Sequence, residues 1–98
     1  MYVGYNEIMN LSEMQKMAYQ NKLDKKFNVA NVDMEFNLLY GEVAEAYDKY
    51  SKKQEGLGEE LADIAIYLLG LAEILGINLE KEIIGKMDKN KARKYIKD

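Results

Sequence analysis

Apolar and polar residues along this chain recur at three- and four-residue spacing, the period of amphipathic helices, and nowhere alternate as strands do. Leu11, Met14, Met17, Ala18 and Leu23 keep that spacing up to about residue 27, behind cap candidates Asn10 and Ser12. Residues 1–10 read as a lead-in. A second helix is predicted over residues 33–51, capped by Asn31 or Asp33. Phe36, Leu39, Val43, Ala46, Tyr47 and Tyr50 form its apolar face, and Glu35, Glu42 and Glu45 lie on another. The third helix, residues 59–75, is apolar nearly all round. The fourth, residues 79–96, carries a stripe of Leu79, Ile83, Ile84 and Met87. Residues 28–31, the polar run ending in Gly56, and Gly76-Ile77-Asn78 separate the helices. Gly76 fits the left-handed position after a helix end, and Asn78 caps the next helix. Gly41 interrupts the second helix at about 1 kcal/mol relative to Ala. It marks either a close approach by another element or ligand, or a tolerated imperfection. The prediction is one all-α domain of four helices spanning residues 1–98.

The third helix sets a problem. In the run Leu61-Ala62-Asp63-Ile64-Ala65-Ile66 the one charge is Asp63. A buried ionised carboxylate must shift its pKa, pair with a cation or bind a metal. No base lies between Glu55 and Lys81, so a cationic partner would have to come from another helix or subunit. Asp63 stands three residues after Glu60, and the preceding helix holds Glu42 and Glu45 at the same spacing. Each pair shares a helix face. A short connection makes the helices antiparallel neighbours, which can set the two pairs opposite each other. Four converging carboxylates repel until a cation or a proton joins them. The plainer alternatives are solvated surface glutamates and an Asp63 paired with a buried Lys or Arg.

Composition narrows the chemistry. The 98 residues contain no His and no Cys. That excludes the usual zinc sites, thiol nucleophiles, the Ser-His-Asp triad and Glu-x-x-His di-iron bundles. A metal here is held by oxygen, which favours a hard cation: Mg2+, Mn2+ or Ca2+. With 32% charged and 48% hydrophobic residues the chain reads as a soluble globular domain. A domain this small buries a limited core, so oligomerisation is expected. No signal-peptide pattern opens the sequence and no apolar run is long enough to span a bilayer, so the expected location is the cytoplasm, away from membranes. The net charge is −3, with an acidic body up to Ile77 and a basic stretch beyond. In that stretch Lys86, Asn90 and Arg93 share one face, suited to successive phosphate oxygens. Alone, such a row is an ordinary solvated helix end. There is no phosphate-binding glycine loop, and the basic patch is too small for nucleic acid.

Gly41-Glu42-Val43-Ala44-Glu45-Ala46, then Glu59-Glu60-Leu61-Ala62-Asp63-Ile64-Ala65-Ile66-Tyr67-Leu68, then Lys86-Met87-Asp88-Lys89-Asn90-Lys91-Ala92-Arg93-Lys94-Tyr95 resemble the MazG-like all-α nucleoside triphosphate pyrophosphatases. The likeness is greatest to the small dCTP pyrophosphatase branch and covers residues 33–95. It implies an oligomerising four-helix bundle that needs Mg2+, with Mn2+ a possible substitute. It implies hydrolysis of a (d)NTP to the monophosphate and pyrophosphate, to clear surplus or non-standard nucleotides. Glu42, Glu45, Glu60 and Asp63 would bind the metal, with Glu42 or Glu45 the general base. Lys86, Asn90 and Arg93 would lie near the phosphates, with Tyr95 a further carry-over. The chain would form a homodimer or homotetramer with the site near a subunit contact. Two positions depart from the pattern. Gly41 stands where the wider family often has Glu, and there is no Trp to surround a base. Tyr19, Phe27, Tyr40 and Tyr47 are the candidate stacking partners, and each is also an ordinary core or interface residue. Two other readings fit the same residues: a non-enzymatic helical oligomerisation module, and a hydrolase of another phosphorylated, nucleotide-like metabolite.

Overall fold

The sequence's polar punctuation sets the helix starts. In the computed structural model, which describes residues 9–93, the helices are α1 (Leu11–Asp24), α2 (Val32–Ser51), α3 (Leu57–Ile74) and α4 (Leu79–Ala92). Asn10, Asn31 and Asn78 each accept a hydrogen bond from the backbone N–H three residues on, at 2.8, 3.0 and 3.1 Å. Each satisfies one of the donors that a helix start leaves unpaired. Asn10 and Asn31 are therefore the caps, rather than Ser12 and Asp33. α3 begins at Leu57, earlier than expected, behind Gly56 at φ +92°. Gly76 takes the expected left-handed conformation at φ +69°. Gly41 has open space where a Cβ would stand, so no close approach explains it among the described residues. The lead-in residues 1–8, the end of the fourth predicted helix and Tyr95 lie outside the described residues.

Contacts place the helices in the spatial order α2, α3, α1, α4. Along the α2–α3 seam, Lys49 meets Glu60 while Glu42 lies with Glu60 and Asp63. Partners that fall along one helix rise along the other, so the pair is antiparallel. α4 rests on α1 and makes no comparable contact with α2 or α3.

The inward faces are not the ones hydrophobicity picks out. On α2 the shielded positions are Val32, Glu35, Leu39, Glu42, Ala46 and Lys49. The alternating stripe of Phe36, Tyr40, Val43, Tyr47 and Tyr50 is exposed. The predicted apolar face therefore splits: Ala46 is buried and Leu39 shielded, while the aromatic members face out. On α1 the buried residues are Gln15 and Lys22, while Met14, Met17 and Leu23 are about 40% exposed. α3 buries Leu69, Leu71 and Ala72, but Leu61 and Ile66 are more than half exposed. Asp63 is exposed as well, contrary to its apolar surroundings in sequence. The radius of gyration is 16.0 Å, against about 13 Å for a compact domain of this length.

Polar clasps join the helices. Gln15 donates to Glu73 at 2.9 Å and to the Ile77 carbonyl at 2.6 Å, and accepts from the Leu79 N–H at 3.2 Å. The Leu11 N–H donates to Glu80 at 2.9 Å. At the other end of α1, the Lys22 ammonium pairs with Glu35 Oε1 and lies 5.4 Å from the centre of the Tyr67 ring. Asn28 donates to Glu35 Oε2 at 2.9 Å. The Lys22 stem crosses α3 over Gly70, where a Cβ would stand 3.3 Å from Lys22 Cδ.

Candidate metal centre

Antiparallel packing brings Glu42 of α2 together with Glu60 and Asp63 of α3. One carboxylate oxygen from each lies within 4.8 Å of the other two. A hard cation's oxygen shell is about 4 Å across, so small side-chain rotations close the set around one ion. Glu42 and Glu60 are partly shielded and Asp63 is open to solvent. Glu45 is exposed one turn beyond Glu42 on α2, near enough for its charge to act on Glu42.

Glu42 Oε2 and Glu60 Oε2 are buried atoms with no hydrogen-bond partner. Buried carboxylate oxygens without a donor are costly, and a metal ion removes that cost. Glu42 also holds its proton more tightly than an ordinary carboxyl. Burial is the main cause, followed by the charges of Glu45, Asp63 and Glu60. An all-oxygen set of crowded acids fits a hard divalent cation and offers nothing to a soft one.

Tyr67 stands one turn beyond Asp63 on the same face of α3, and sequence reasoning left it out. Its phenol holds its proton more tightly than usual, through burial first and then the charges of Glu42, Glu35, Asp63 and Glu45. Spacing could have found it, since Glu60, Asp63 and Tyr67 follow one helical stripe. Lys49 was also missed, although it continues the Glu42 stripe two turns on. Its Nζ lies 3.2 Å from Glu60 Oε1. Asp63 was the residue expected to need a partner, but the cation belongs to its neighbour Glu60.

The other predicted residues lie elsewhere. Lys86 and Asn90 are exposed on α4 and Arg93 is exposed at its C-cap, and α4 packs on α1 rather than on the two carboxylate-bearing helices. Tyr40 and Tyr47 are 69% and 68% exposed on the outward stripe of α2. Phe27 is exposed beyond α1, and Tyr19 is half-buried on α1. Met9, Met14, Met17, Ala18, Ile66 and Leu69 line an apolar cleft of about 400 Å3 between α1 and α3.

Fold and site together define an all-α protein with an acidic, oxygen-only candidate metal centre on two antiparallel helices. The model of the MazG-like family matches residues 33–98, a span that contains both carboxylate pairs and the basic row. The chain belongs to the MazG-like family. No curated protein and no solved structure matches it. None of the described helices is long and apolar enough to cross a membrane.

Proposed function

We propose that the protein is a metal-dependent nucleoside triphosphate pyrophosphohydrolase that converts a (d)NTP to the monophosphate and pyrophosphate, clearing unwanted nucleotides in the cytoplasm. The observation that carries this reading is the pair of buried, partnerless oxygens on Glu42 and Glu60, two carboxylates grouped with Asp63 in a chain of the MazG-like family. The motifs lean to the small dCTP pyrophosphatase branch, but the proposal is for a (d)NTP without choice of base. Glu42, Glu60 and Asp63 would hold Mg2+ or Mn2+, with Glu45 at the edge of the set. When bound, the cation polarises the phosphate and lowers the pKa of water. Glu45, exposed at the edge of the set, is the better placed general base. It takes a proton from the water that attacks phosphorus in line with the departing pyrophosphate. Tyr67, held neutral among acids, has a phenol O–H to donate.

The same proposal makes the working form a homo-oligomer. The outward stripe of α2 repeats every three and four residues, which is the seam of paired helices. A second copy is its natural cover, and assembly is also a route by which Lys86, Asn90 and Arg93 of one chain reach the carboxylates of another.

The test is pyrophosphate release from a panel of dNTPs and NTPs with Mg2+, beside Asp63→Asn and Glu45→Gln. Turnover that both substitutions cut at least a hundredfold is expected. Silence across the panel, or full turnover in both variants, overturns the reading.

A further inference from the structure

Within a single chain, the carboxylate site has a cation of its own. The Lys49 ammonium lies 3.2 Å from Glu60 Oε1, while Oε2 of the same carboxylate is buried without a hydrogen-bond partner, and Glu60 belongs to the trio with Glu42 and Asp63. The ammonium lies close to Gly56, where a Cβ would stand 3.0 Å from Lys49 Nζ. The Lys49 side chain is 32% exposed, so its ammonium can change partners without being dug out of the core. Among the described residues, Lys22 is committed to buried Glu35 and Lys52 to Asp48.

We propose that Lys49 is the phosphate-binding cation of this site, exchanging Glu60 Oε1 for a phosphate oxygen when a metal-bound polyphosphate arrives. The proposal rests on the reading that the carboxylates hold a metal and its polyphosphate. Charge is the reason. Four carboxylates outweigh one divalent ion, so the loaded centre remains anionic and repels the anion it must bind. A lysine held at the rim offsets that repulsion and can meet charge growing on the departing pyrophosphate. The helix-four row is carried by a helix that packs on α1, whereas Lys49 stands on the α2–α3 seam itself.

A phosphate-binding lysine and one that only holds Glu60 in place respond differently to substitution. Removing a positive charge beside the site leaves the pull on a metal ion at full strength or stronger, and weakens the pull on an anion. The experiment measures binding of Mn2+ alone, and of inorganic pyrophosphate at saturating Mg2+, by calorimetry on the wild type, Lys49→Met and Lys49→Arg. Lys49→Met is expected to bind Mn2+ at least as tightly as wild type and pyrophosphate about tenfold or more weakly, the loss typical of one charge-assisted hydrogen bond. Lys49→Arg, which keeps the charge, is expected to stay within about threefold for both ligands. Unchanged pyrophosphate binding in Lys49→Met overturns the proposal. So does a parallel loss of Mn2+, which would mean that Lys49 only positions Glu60. A wild type that binds Mn2+ but no pyrophosphate also overturns it while leaving the metal centre standing. A wild type that binds neither removes the metal centre as well.

Discussion

Lys22 of α1 and Glu35 of α2 form an ion pair with only 11% and 1% of their side chains exposed. Glu35 is the largest fully buried side chain among the described residues, a place ordinarily held by a Leu or Phe. Removing one partner of such a pair leaves a stranded charge and costs about 3–5 kcal/mol. Lys22→Ala should therefore lose a large part of the stability, seen as a lower urea midpoint. Lys22→Met with Glu35→Leu should recover most of it, because an apolar pair of similar volume removes both charges from the interior. A double variant as unstable as the single one would show that the ion pair itself is needed.

The raised proton affinity of Glu42 gives a pH signature. Its carboxyl binds a proton more tightly folded than unfolded, so its contribution to stability is complete below the unfolded pKa. That contribution falls as pH rises through the raised, folded pKa. Without metal, the melting temperature should decline across that interval. A bound cation competes for the same oxygen, so Mg2+ affinity should climb over the interval and the decline should flatten when Mg2+ is saturating. Melting curves from pH 4 to 8, with and without Mg2+, check both halves. Glu42→Gln should abolish the Glu42 part of the slope.

Gly56 is under backbone constraint at φ +92°. A Cβ in left-handed backbone costs about 1–2 kcal/mol. Each kcal/mol moves the melting temperature by about 4–8 °C in a domain of this size. Gly56→Ala should therefore melt several degrees lower at equal protein concentration, and Gly56→Asn should lose less, since Asn tolerates that region. Equal melting of all three proteins would show that the turn relaxes.

The outward stripe of α2 yields a prediction about mass. Tyr40, Tyr47 and Tyr50 are each about two-thirds exposed in the single chain. Light scattering behind size exclusion should give a dimer or larger at micromolar concentration, and the melting temperature should rise with concentration. Tyr47→Glu should shift the mass toward the monomer. A wild type that elutes as a monomer throughout would leave the stripe unexplained.

Local features of this fold were readable in advance, and cross-helix ones were not. Asn10, Asn31 and Asn78 were among the expected caps because a cap needs only three residues of context. Glu42, Glu60 and Asp63 were legible because helical spacing within each pair and one short turn between helices suffice to bring them together. Lys22–Glu35 and Lys49–Glu60 depend on how the helices register, which no periodicity states. The faces of α1 and α2 misled for a different reason. Hydrophobic spacing shows that a stripe wants covering, and it is silent on whether the cover comes from the same chain. Met14 and Tyr47 satisfy the pattern and still stand in solvent.

The two stripes of α2 make that helix answer to two demands at once. Its inner side carries the charged Glu35, Glu42 and Lys49 among Leu39 and Ala46, and packs on α3. Its outer side carries rings that could add to stability, but only against something outside the chain. If copies associate as proposed, a newly made copy acquires lasting structure and a working centre in the same encounter. Output would then climb more steeply than the amount of protein made, and a cell could silence the activity simply by keeping copies scarce.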